Sequence, residues 1–362
     1  MRHKNWKIPN QSNPFFVGII SQQLPLSEKK KLDKKSVSYS KVFADRLGEL
    51  MEKDSRVMAL SAAMLSGTGL IALQRKYPER VLDVGIAEAH AVTCSAGLAT
   101  TGMKPFVAIY STFLQRALDQ IIHDVGIQKL PVRFMLDRAG LVGADGPTHQ
   151  GVYDLTYLRM IPGLTLLVPR NGAELRMMID FCHALDTGPS AVRYPRGNTM
   201  AEEDSELPPI ESGRAHLLRE GGDIALLAVG VMTDIALETA DLLEKEGYSV
   251  AVVNARFVKP LDAELILNLA SICSLVVTME ENTLHGGFGS GVLETLNEAG
   301  VMARTLSFGI PDRYIAQGSP DEQRKNVELT PTLMAKKIRE RLKKSQLPAR
   351  KARRNVSRKK AS

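Results

Sequence analysis

Charged and aromatic side chains follow several β-rich runs in the first half of the chain. Glu88 comes after a run at residues 81–84, and His149 lies in a loop after a run at 132–136. Because ligands of parallel α/β sheets bind beyond the carboxyl ends of the strands, such residues are candidates for a functional site. The same edge is predicted to carry two rings, three guanidiniums and a further carboxylate, namely Tyr110, Phe113, Arg116, Arg138, Asp145 and Arg196.

Three of these residues, Arg116, Arg138 and Arg196, are arginines on separate loops. A guanidinium fork matches the oxygens of a phosphate group and keeps its charge at physiological pH. Their placement therefore favours a phosphate ester as the ligand. The alternative is that they are ordinary surface arginines paired with Asp119 or Asp145.

Glu88 and His149 each have more than one interpretation. Glu88 opens a predicted apolar helix, where an acid can simply complement the helix dipole. His149 is surrounded by turn-forming residues, so a place in the core explains it less well than a functional role does. Phe113, Arg116 and Gln120 are spaced three and four apart, which predicts one helix face pointing at the same edge.

The elements that must position these residues alternate along the chain. From residue 38 onward, β-rich runs alternate with segments of helical period, which predicts parallel sheets with crossover helices. An acidic stretch with two prolines at 199–213 is typical of a linker. We therefore expect an α/β protein with two doubly wound domains, residues 37–198 and 214–342. The expected strands are 57–60, 81–84, 106–110, 132–136, 164–168, 191–194, 224–229, 250–254, 275–279 and 303–308, and a last helix is expected at 331–344.

Most of the positive charge lies at the two ends of the chain. The protein has 362 residues and a formal net charge of +7. Residues 1–36 hold eight basic and two acidic residues, and residues 343–362 hold nine basic residues and no acid, so the middle carries a net charge of −8. A nucleic-acid-binding surface on the folded body is thus not expected, and the two ends are predicted to be solvated basic arms.

The cysteines and the apolar runs indicate in which cellular compartment the protein is expected. Cys94, Cys182 and Cys273 are odd in number and far apart, which predicts neither a disulfide framework nor a Cys-x-x-Cys metal site. No uncharged apolar run reaches the ~18 residues that a membrane span needs. The N-terminal residues lack the apolar core of a secretion signal, although their few acids leave a transit peptide open. We expect a cytoplasmic protein.

Four stretches together are similar to one known family. They are DVGIAEAHAV at 83–92, AIYSTFLQRA at 108–117, DRAGLVGADGPTH at 137–149 and RYPRGN at 193–198. In this order they resemble 1-deoxy-D-xylulose-5-phosphate synthase, a thiamine diphosphate enzyme of the transketolase superfamily. The resemblance covers about residues 37–342 and implies that family's pyrimidine-binding domain followed by its C-terminal domain.

The resemblance implies roles for the residues at this edge. The family joins pyruvate to glyceraldehyde 3-phosphate with loss of carbon dioxide, using thiamine diphosphate and Mg²⁺. The resemblance implies that Glu88 and His149 are catalytic residues. It also implies that Glu88 hydrogen-bonds the aminopyrimidine ring of the cofactor and that Phe113 stacks on that ring. The positions implied to bind the substrates are Tyr110, Arg116, Arg138, Asp145 and Arg196, of which Arg138 and Arg196 hold the phosphate.

The resemblance also has departures. Members of the family carry, ahead of this region, a domain of comparable size that binds the diphosphate through Mg²⁺, and residues 1–36 are too few to form it. Metal ligands are therefore expected from a partner chain and none from this one. Ala89 and Ser61 stand where the family usually has Gln and Thr, and neither change removes a proposed catalytic group.

Three functions stay open on the sequence. The first is half of a synthase-like enzyme, present as a homodimer or as a heteromer with a chain that carries the diphosphate domain. The second is a non-catalytic or truncated homologue that acts as a binding or regulatory protein. The third is a C-terminal subunit of a transketolase, which the stretches at 137–143 and 193–198 disfavour.

Overall fold

The computed structural model describes residues 36–200 and 207–343. The basic ends, predicted as solvated arms, lie outside these residues except for Ser36 and Lys343, and so do residues 201–206 of the predicted linker. The described residues from Val37 onward belong to one compact unit. No helix in the described ranges is long and apolar enough to cross a membrane.

Strands and helices alternate along the described chain as the sequence pattern predicts. The strands are β1 (Ser36–Ser38), β2 (Val57–Ser61), β3 (Val81–Asp83), β4 (Lys104–Tyr110), β5 (Arg133–Ala139), β6 (Thr165–Leu167), β7 (Ser190–Pro195), β8 (Asn198–Met200), β9 (His216–Arg219), β10 (Ile224–Ala228), β11 (Val250–Asn254), β12 (Phe257–Lys259), β13 (Leu275–Thr283) and β14 (Thr305–Ile310). The α-helices are α1 (Tyr39–Lys53), α2 (Ile71–Lys76), α3 (Glu88–Thr100), α4 (Ser111–Leu114), α5 (Leu118–Gln120), α6 (Asp154–Arg159), α7 (Gly172–Ala184), α8 (Met232–Glu244), α9 (Ala263–Ile272), α10 (Phe288–Glu298), α11 (Pro320–Asn326) and α12 (Pro331–Lys343).

The strands form two large sheets. The first has the order β12-β6-β7-β5-β4-β2-β3 and is parallel except at β12, and the second has the order β14-β13-β10-β11-β9 and is parallel except at β9. Strands β1 and β8 form a separate two-stranded sheet. The prediction of two α/β domains with mostly parallel sheets is confirmed.

Local sequence accounts for how the elements begin and what they bury. The Ser38 side chain accepts a hydrogen bond from the backbone N of Lys41 at 3.2 Å, which caps the start of α1. Helix α1 then buries Phe43, Leu47 and Met51 at helical spacing. The central strands are buried along almost their whole length, as expected for a sheet covered on both faces.

Some elements differ from the prediction. The helix expected over 113–120 is a succession of α4, a 3₁₀ turn (Gln115–Ala117), α5 and a π-helix (Ile121–Gly126). Strand β13 runs four residues past Met279, because its polar end, Glu280 to Asn282, is buried rather than exposed. The predicted linker begins inside β8, and β12 comes from the second half of the chain but joins the first sheet.

Candidate active site

The strand order of the first sheet brings the candidate residues to one edge. Strands β7, β5 and β4 are neighbours, and their carboxyl ends carry Arg196, Arg138 and Tyr110. Glu88 is the first residue of α3, which follows the outermost strand, β3. The site therefore runs along the edge of the sheet rather than around one strand.

Arg138 owes its direction to an irregularity in β5. The pairing of β5 with β7 shifts between Leu136 and Ala139, and Arg138 lies in the left-handed region with φ +58°. A non-glycine residue in this region is strained, and it keeps this conformation only where its surroundings hold it there. The guanidinium lies 4.0 Å from the ring centroid of Tyr110, at cation–π distance.

Asp145 joins two arginines, and we call Arg138, Asp145 and Arg196 the arginine cluster. Oδ2 of Asp145 accepts from Nη1 of Arg138 at 3.2 Å and from Nη1 of Arg196 at 2.6 Å. Two guanidiniums share one carboxylate, so the cluster keeps a net positive charge. The side chain of Arg196 is 45% exposed, which leaves donors of its fork open to an anion.

Glu88 and Arg116 form the other end of the site. Nη1 of Arg116 donates to Oε1 of Glu88 at 2.9 Å. The Glu88 side chain is 4% exposed and that of Arg116 is 56% exposed, so the carboxylate is covered while its partner faces solvent. The Arg116 guanidinium also lies 5.0 Å from the ring centroid of Phe113.

Phe113 links the two ends. Its ring stacks on Tyr110 with centroids 6.0 Å apart, and it meets His149 edge-on at 5.3 Å. His149 Nδ1 lies 2.9 Å from Thr148 Oγ1. The structure thus brings all eight predicted site residues into one unbroken series of contacts.

The arginines do not act as one group of three. Arg138 and Arg196 share Asp145, while Arg116 is separated from them by the rings of Phe113 and Tyr110. The single three-arginine phosphate site predicted from the spacing is therefore not what the structure contains, because Arg116 is paired with Glu88 instead. Arg138 and Arg196 both pair with Asp145, which is the alternative expected for surface arginines.

A buried carboxyl lies beneath the arginine cluster. Asp137 is 1% exposed, and its Oδ2 accepts a hydrogen bond from Ser40 Oγ at 2.6 Å. Burial raises the pKa of Asp137 to about 7, against the lowering effect of Ser40 and of Arg138. Burial also raises the pKa of the Tyr110 hydroxyl, which Arg138 opposes. This end of the site is therefore supported by a group that titrates near neutral pH.

Residues that the sequence did not single out support the site from inside. Arg193 is 5% exposed and its Nε contacts both carboxylate oxygens of Asp154 at 2.8 and 2.9 Å. Its Nη2 donates to the carbonyl of Gly151 at 3.0 Å. Arg193 and Arg196 are three residues apart, and no local signal distinguishes the buried ion pair from the exposed arginine.

Two further features border the arginine cluster. The backbone of Gly67 lies so close to the Tyr110 hydroxyl that a Cβ there would be 1.5 Å from Oη. A groove of about 630 Å³ runs between α1 and the 66–73 segment, and Arg138 forms part of its wall. The groove adds open space on the side of the cluster that faces α1.

The residues of the Glu88 end fit the aminopyrimidine ring of thiamine diphosphate. The Glu88 carboxyl is covered, and Oε2 has no hydrogen-bond partner among the described residues, so it can accept one from a ligand. The aromatic ring of Phe113 lies against Arg116, the partner of Glu88. The diphosphate end has no such match, because the described ranges hold no group of three or more His, Cys, Asp or Glu that could bind a metal ion.

Comparison with known protein families identifies the class of protein to which the chain belongs. A family described as "Transketolase, pyrimidine binding domain" matches residues 35–202, and one described as "Transketolase, C-terminal domain" matches residues 213–334. Fold and site together therefore define a thiamine diphosphate-type protein of the transketolase class. Within this class, the chain is a homologue of the 1-deoxy-D-xylulose-5-phosphate synthases over these two domains.

The relatives show how much of such an enzyme is present. The synthase of Thermosynechococcus vestitus is 54% identical over 308 residues, which cover 84% of this chain and 48% of the relative. That of Parasynechococcus marenigrum is 52% identical over 311 residues, which cover 85% and 48%. The chain spans about half the length of the curated relatives it matches.

Solved structures agree with the fold. A chain described as "Split gene transketolase, inactive beta4 tetramer" is 29% identical with a TM-score of 0.75, covering 85% of this chain and 98% of that one. The transketolase of Campylobacter jejuni superposes with a TM-score of 0.72 at 19% identity, covering 84% of this chain and 47% of that one, and shows the fold alone.

Proposed function

We propose that this chain is the substrate-binding half of a 1-deoxy-D-xylulose-5-phosphate synthase-like enzyme. The observation that carries the proposal is the unbroken series of contacts from Glu88 through Phe113 and Tyr110 to the arginine cluster. It puts a covered carboxylate and the net positive arginine cluster at the two ends of one sheet edge. Pyruvate and glyceraldehyde 3-phosphate are the substrates that this arrangement and the family suggest.

In this proposal, the residues of this chain bind and orient the cofactor and the substrates. Glu88 would hold the aminopyrimidine ring through its open oxygen, with Phe113 against the face of that ring. His149, which lies edge-on to Phe113, would move a proton at the substrate oxygen. Arg138 and Arg196 would turn from Asp145 toward the phosphate of the aldehyde. Thiamine diphosphate, when bound, supplies the electron sink for decarboxylation.

The diphosphate and Mg²⁺ need ligands from outside the described residues. Mg²⁺ prefers oxygen ligands in octahedral geometry and is usually shared between carboxylates and substrate phosphates. We place these ligands on a different chain that carries the diphosphate domain, in a heteromer with this one. The half-length match to the relatives supports this, and so does the split-gene neighbour, whose solved form is described as inactive.

Reconstitution tests the proposal. The chain would be mixed with the N-terminal half of the Thermosynechococcus vestitus synthase, thiamine diphosphate and Mg²⁺, and product formation from pyruvate and glyceraldehyde 3-phosphate followed. We expect turnover with both chains and none with either alone. Calorimetry of this chain alone should detect no tight, Mg²⁺-dependent cofactor binding.

Three results would contradict the proposal. Sub-micromolar cofactor binding by the chain alone would show that it needs no partner for the diphosphate. A stable complex that binds the cofactor but never turns over would favour a non-catalytic binding protein. Turnover of ketose phosphate donors instead of pyruvate would favour a transketolase subunit.

A further inference from the structure

The loop that carries Asp145 and His149 is held by the second half of the chain. We call residues 140–151 the site loop. Gln323, on α11, is 2% exposed and bonds twice to one residue of this loop. Gly143 N donates to Oε1 of Gln323 at 3.0 Å, and Nε2 of Gln323 donates to Gly143 O at 3.1 Å. A side-chain amide can do this because it carries a donor and an acceptor side by side.

A second contact from the same helix holds the loop two residues earlier. Nε of Arg324 donates to Oε1 of Glu281 at 2.6 Å, and Oε2 of Glu281 accepts from Leu141 N at 3.3 Å. Glu281 is 2% exposed and belongs to the buried end of β13. Consecutive residues of α11 therefore tie the site loop at positions 141 and 143.

The helix is a firm support and the loop fits closely against it. Ser319 and Glu322 form a capping box at the start of α11, so the helix has a fixed beginning. Gly143 has φ +81°, and a Cβ there would lie 3.3 Å from the carbonyl of Gly318 and from the ring of Pro320. A side chain here would be strained by the positive φ, and these close contacts oppose a shift of the loop toward α11.

We propose that Gln323 is a positioning residue whose amide holds the site loop and so places Asp145 between Arg138 and Arg196. Asp145 lies only two residues beyond Gly143, within the same 3₁₀ turn. A loop freed at Gly143 would let the shared oxygen of Asp145 leave the two guanidiniums. The effect on catalysis rests on the proposed function, while the effect on the loop does not.

Hydrogen exchange by mass spectrometry on the chain alone tests the proposal. In Gln323→Met the length of the side chain is kept, and both hydrogen bonds to Gly143 are lost together with the one that Nε2 donates to the carbonyl of Ala316 at 2.8 Å. Site-loop amides should therefore exchange at least about tenfold faster. Amides of β5 and β13 should be unchanged. Lys325→Met, at an exposed position on the same helix, is the matched control and should behave as wild type.

Gln323→Glu separates hydrogen bonding from mere filling of space, and it serves as the test if the Met variant does not fold. A carboxylate can only accept, whereas a neutral carboxyl group donates and accepts as the amide does. Relative to wild type at the same pH, protection of the site loop should be low at about pH 8 and recover at about pH 5. A side chain that only fills space would give no such recovery.

The outcomes are distinguishable from failure of the proposed function. Wild-type exchange of the site loop in both variants would overturn the positioning role, and so would equal acceleration throughout the second sheet. In the reconstituted enzyme, Gln323→Met should raise KM for the aldehyde phosphate about three- to tenfold with kcat little changed. Failure to reconstitute counts against the proposed function alone, since exchange requires no substrate.

Discussion

The two ends of the site use the same chemical pair in opposite ways. At the Glu88 end the carboxylate is covered and its arginine is exposed. In the arginine cluster the carboxylate is 30% exposed and is shared by two arginines, one of them 45% exposed. Under the proposed function, the first arrangement would present a carboxyl to a ligand ring, and the second would present a net positive charge to an anion. The two ends contain the same residue types, and they differ in which side chains are exposed and in how many arginines share the carboxylate.

The support of the two ends differs as well. Glu88 and Arg116 are placed by α3 and by the short helical segments after β4, all within the first sheet's own connections. Asp145 stands on a loop that α11 of the second half holds through Gln323. Changes at the first end should thus act on turnover, and changes at the second on recognition of the phosphate.

Glu88→Gln should have the largest effect. The amide keeps the shape of the side chain but removes the carboxylate that would hold the ring, so kcat of the reconstituted enzyme should fall by about 10²- to 10⁴-fold. Glu49→Gln, which changes a surface carboxylate paired with Arg46 and Arg176, is the control and should leave kcat unchanged. Activity of Glu88→Gln within a few-fold of wild type would remove Glu88 from the catalytic role.

Arg196→Ala should act on the phosphate alone. A charge-assisted hydrogen bond contributes about 1.5 to 3 kcal/mol, so KM for the aldehyde phosphate should rise about ten- to hundredfold. KM for pyruvate and turnover of an unphosphorylated aldehyde should change little. Arg116→Ala, at the other end, should impair both acceptors alike. Equal losses on both acceptors in Arg196→Ala would show that this residue supports the loop rather than binding the substrate.

Asp137→Asn should change how stability depends on pH. Burial raises the pKa of Asp137 to about 7, so the folded state keeps the proton at pH values where the unfolded chain has lost it. The stability this proton gives is complete below the ordinary Asp pKa and is lost as pH rises through 7. The surrounding groups are Ser40, Tyr194, Arg138 and Arg196.

Asparagine resembles the protonated acid, so the variant should not suffer this loss. The free energy of unfolding of the variant minus that of wild type should rise by about 2 to 3 kcal/mol from pH 5 to pH 8. Urea unfolding at the two pH values measures it. A difference that is constant with pH would mean that Asp137 ionises as an ordinary carboxyl group.

Gly67→Ala should have the smallest effect. The added Cβ would overlap the Tyr110 hydroxyl, so the ring must move and its contact with Arg138 weakens. We expect a loss of about 1 to 3 kcal/mol in stability, measured by thermal unfolding. Gly97→Ala on α3 meets no atom within 4 Å and should instead stabilise by up to about 1 kcal/mol. Unchanged stability in Gly67→Ala would mean that Tyr110 has room to yield.

The sequence by itself determined the alternation of strands and helices and the edge at which the site lies. Seven of the eight candidate residues follow a β-rich run and Tyr110 ends one, and parallel strands bring their carboxyl ends to one edge whatever the details of packing. Hydrophobic runs predicted the central strands because those strands are buried on both faces. The end of β13 was missed, because its polar residues Glu280 and Glu281 do not look like part of a buried strand.

Only the tertiary structure decided which partners these residues have. Arg116 pairs with Glu88, 28 positions away, and Arg196 with Asp145, 51 away, although the spacing suggested one group of three arginines. Gln323 bonds to Gly143 across 180 positions. Such contacts depend on how two sheets and their helices pack. A local pattern of residue types indicates whether a side chain is buried and in which direction it points. It does not indicate which distant backbone group or carboxylate that side chain will contact.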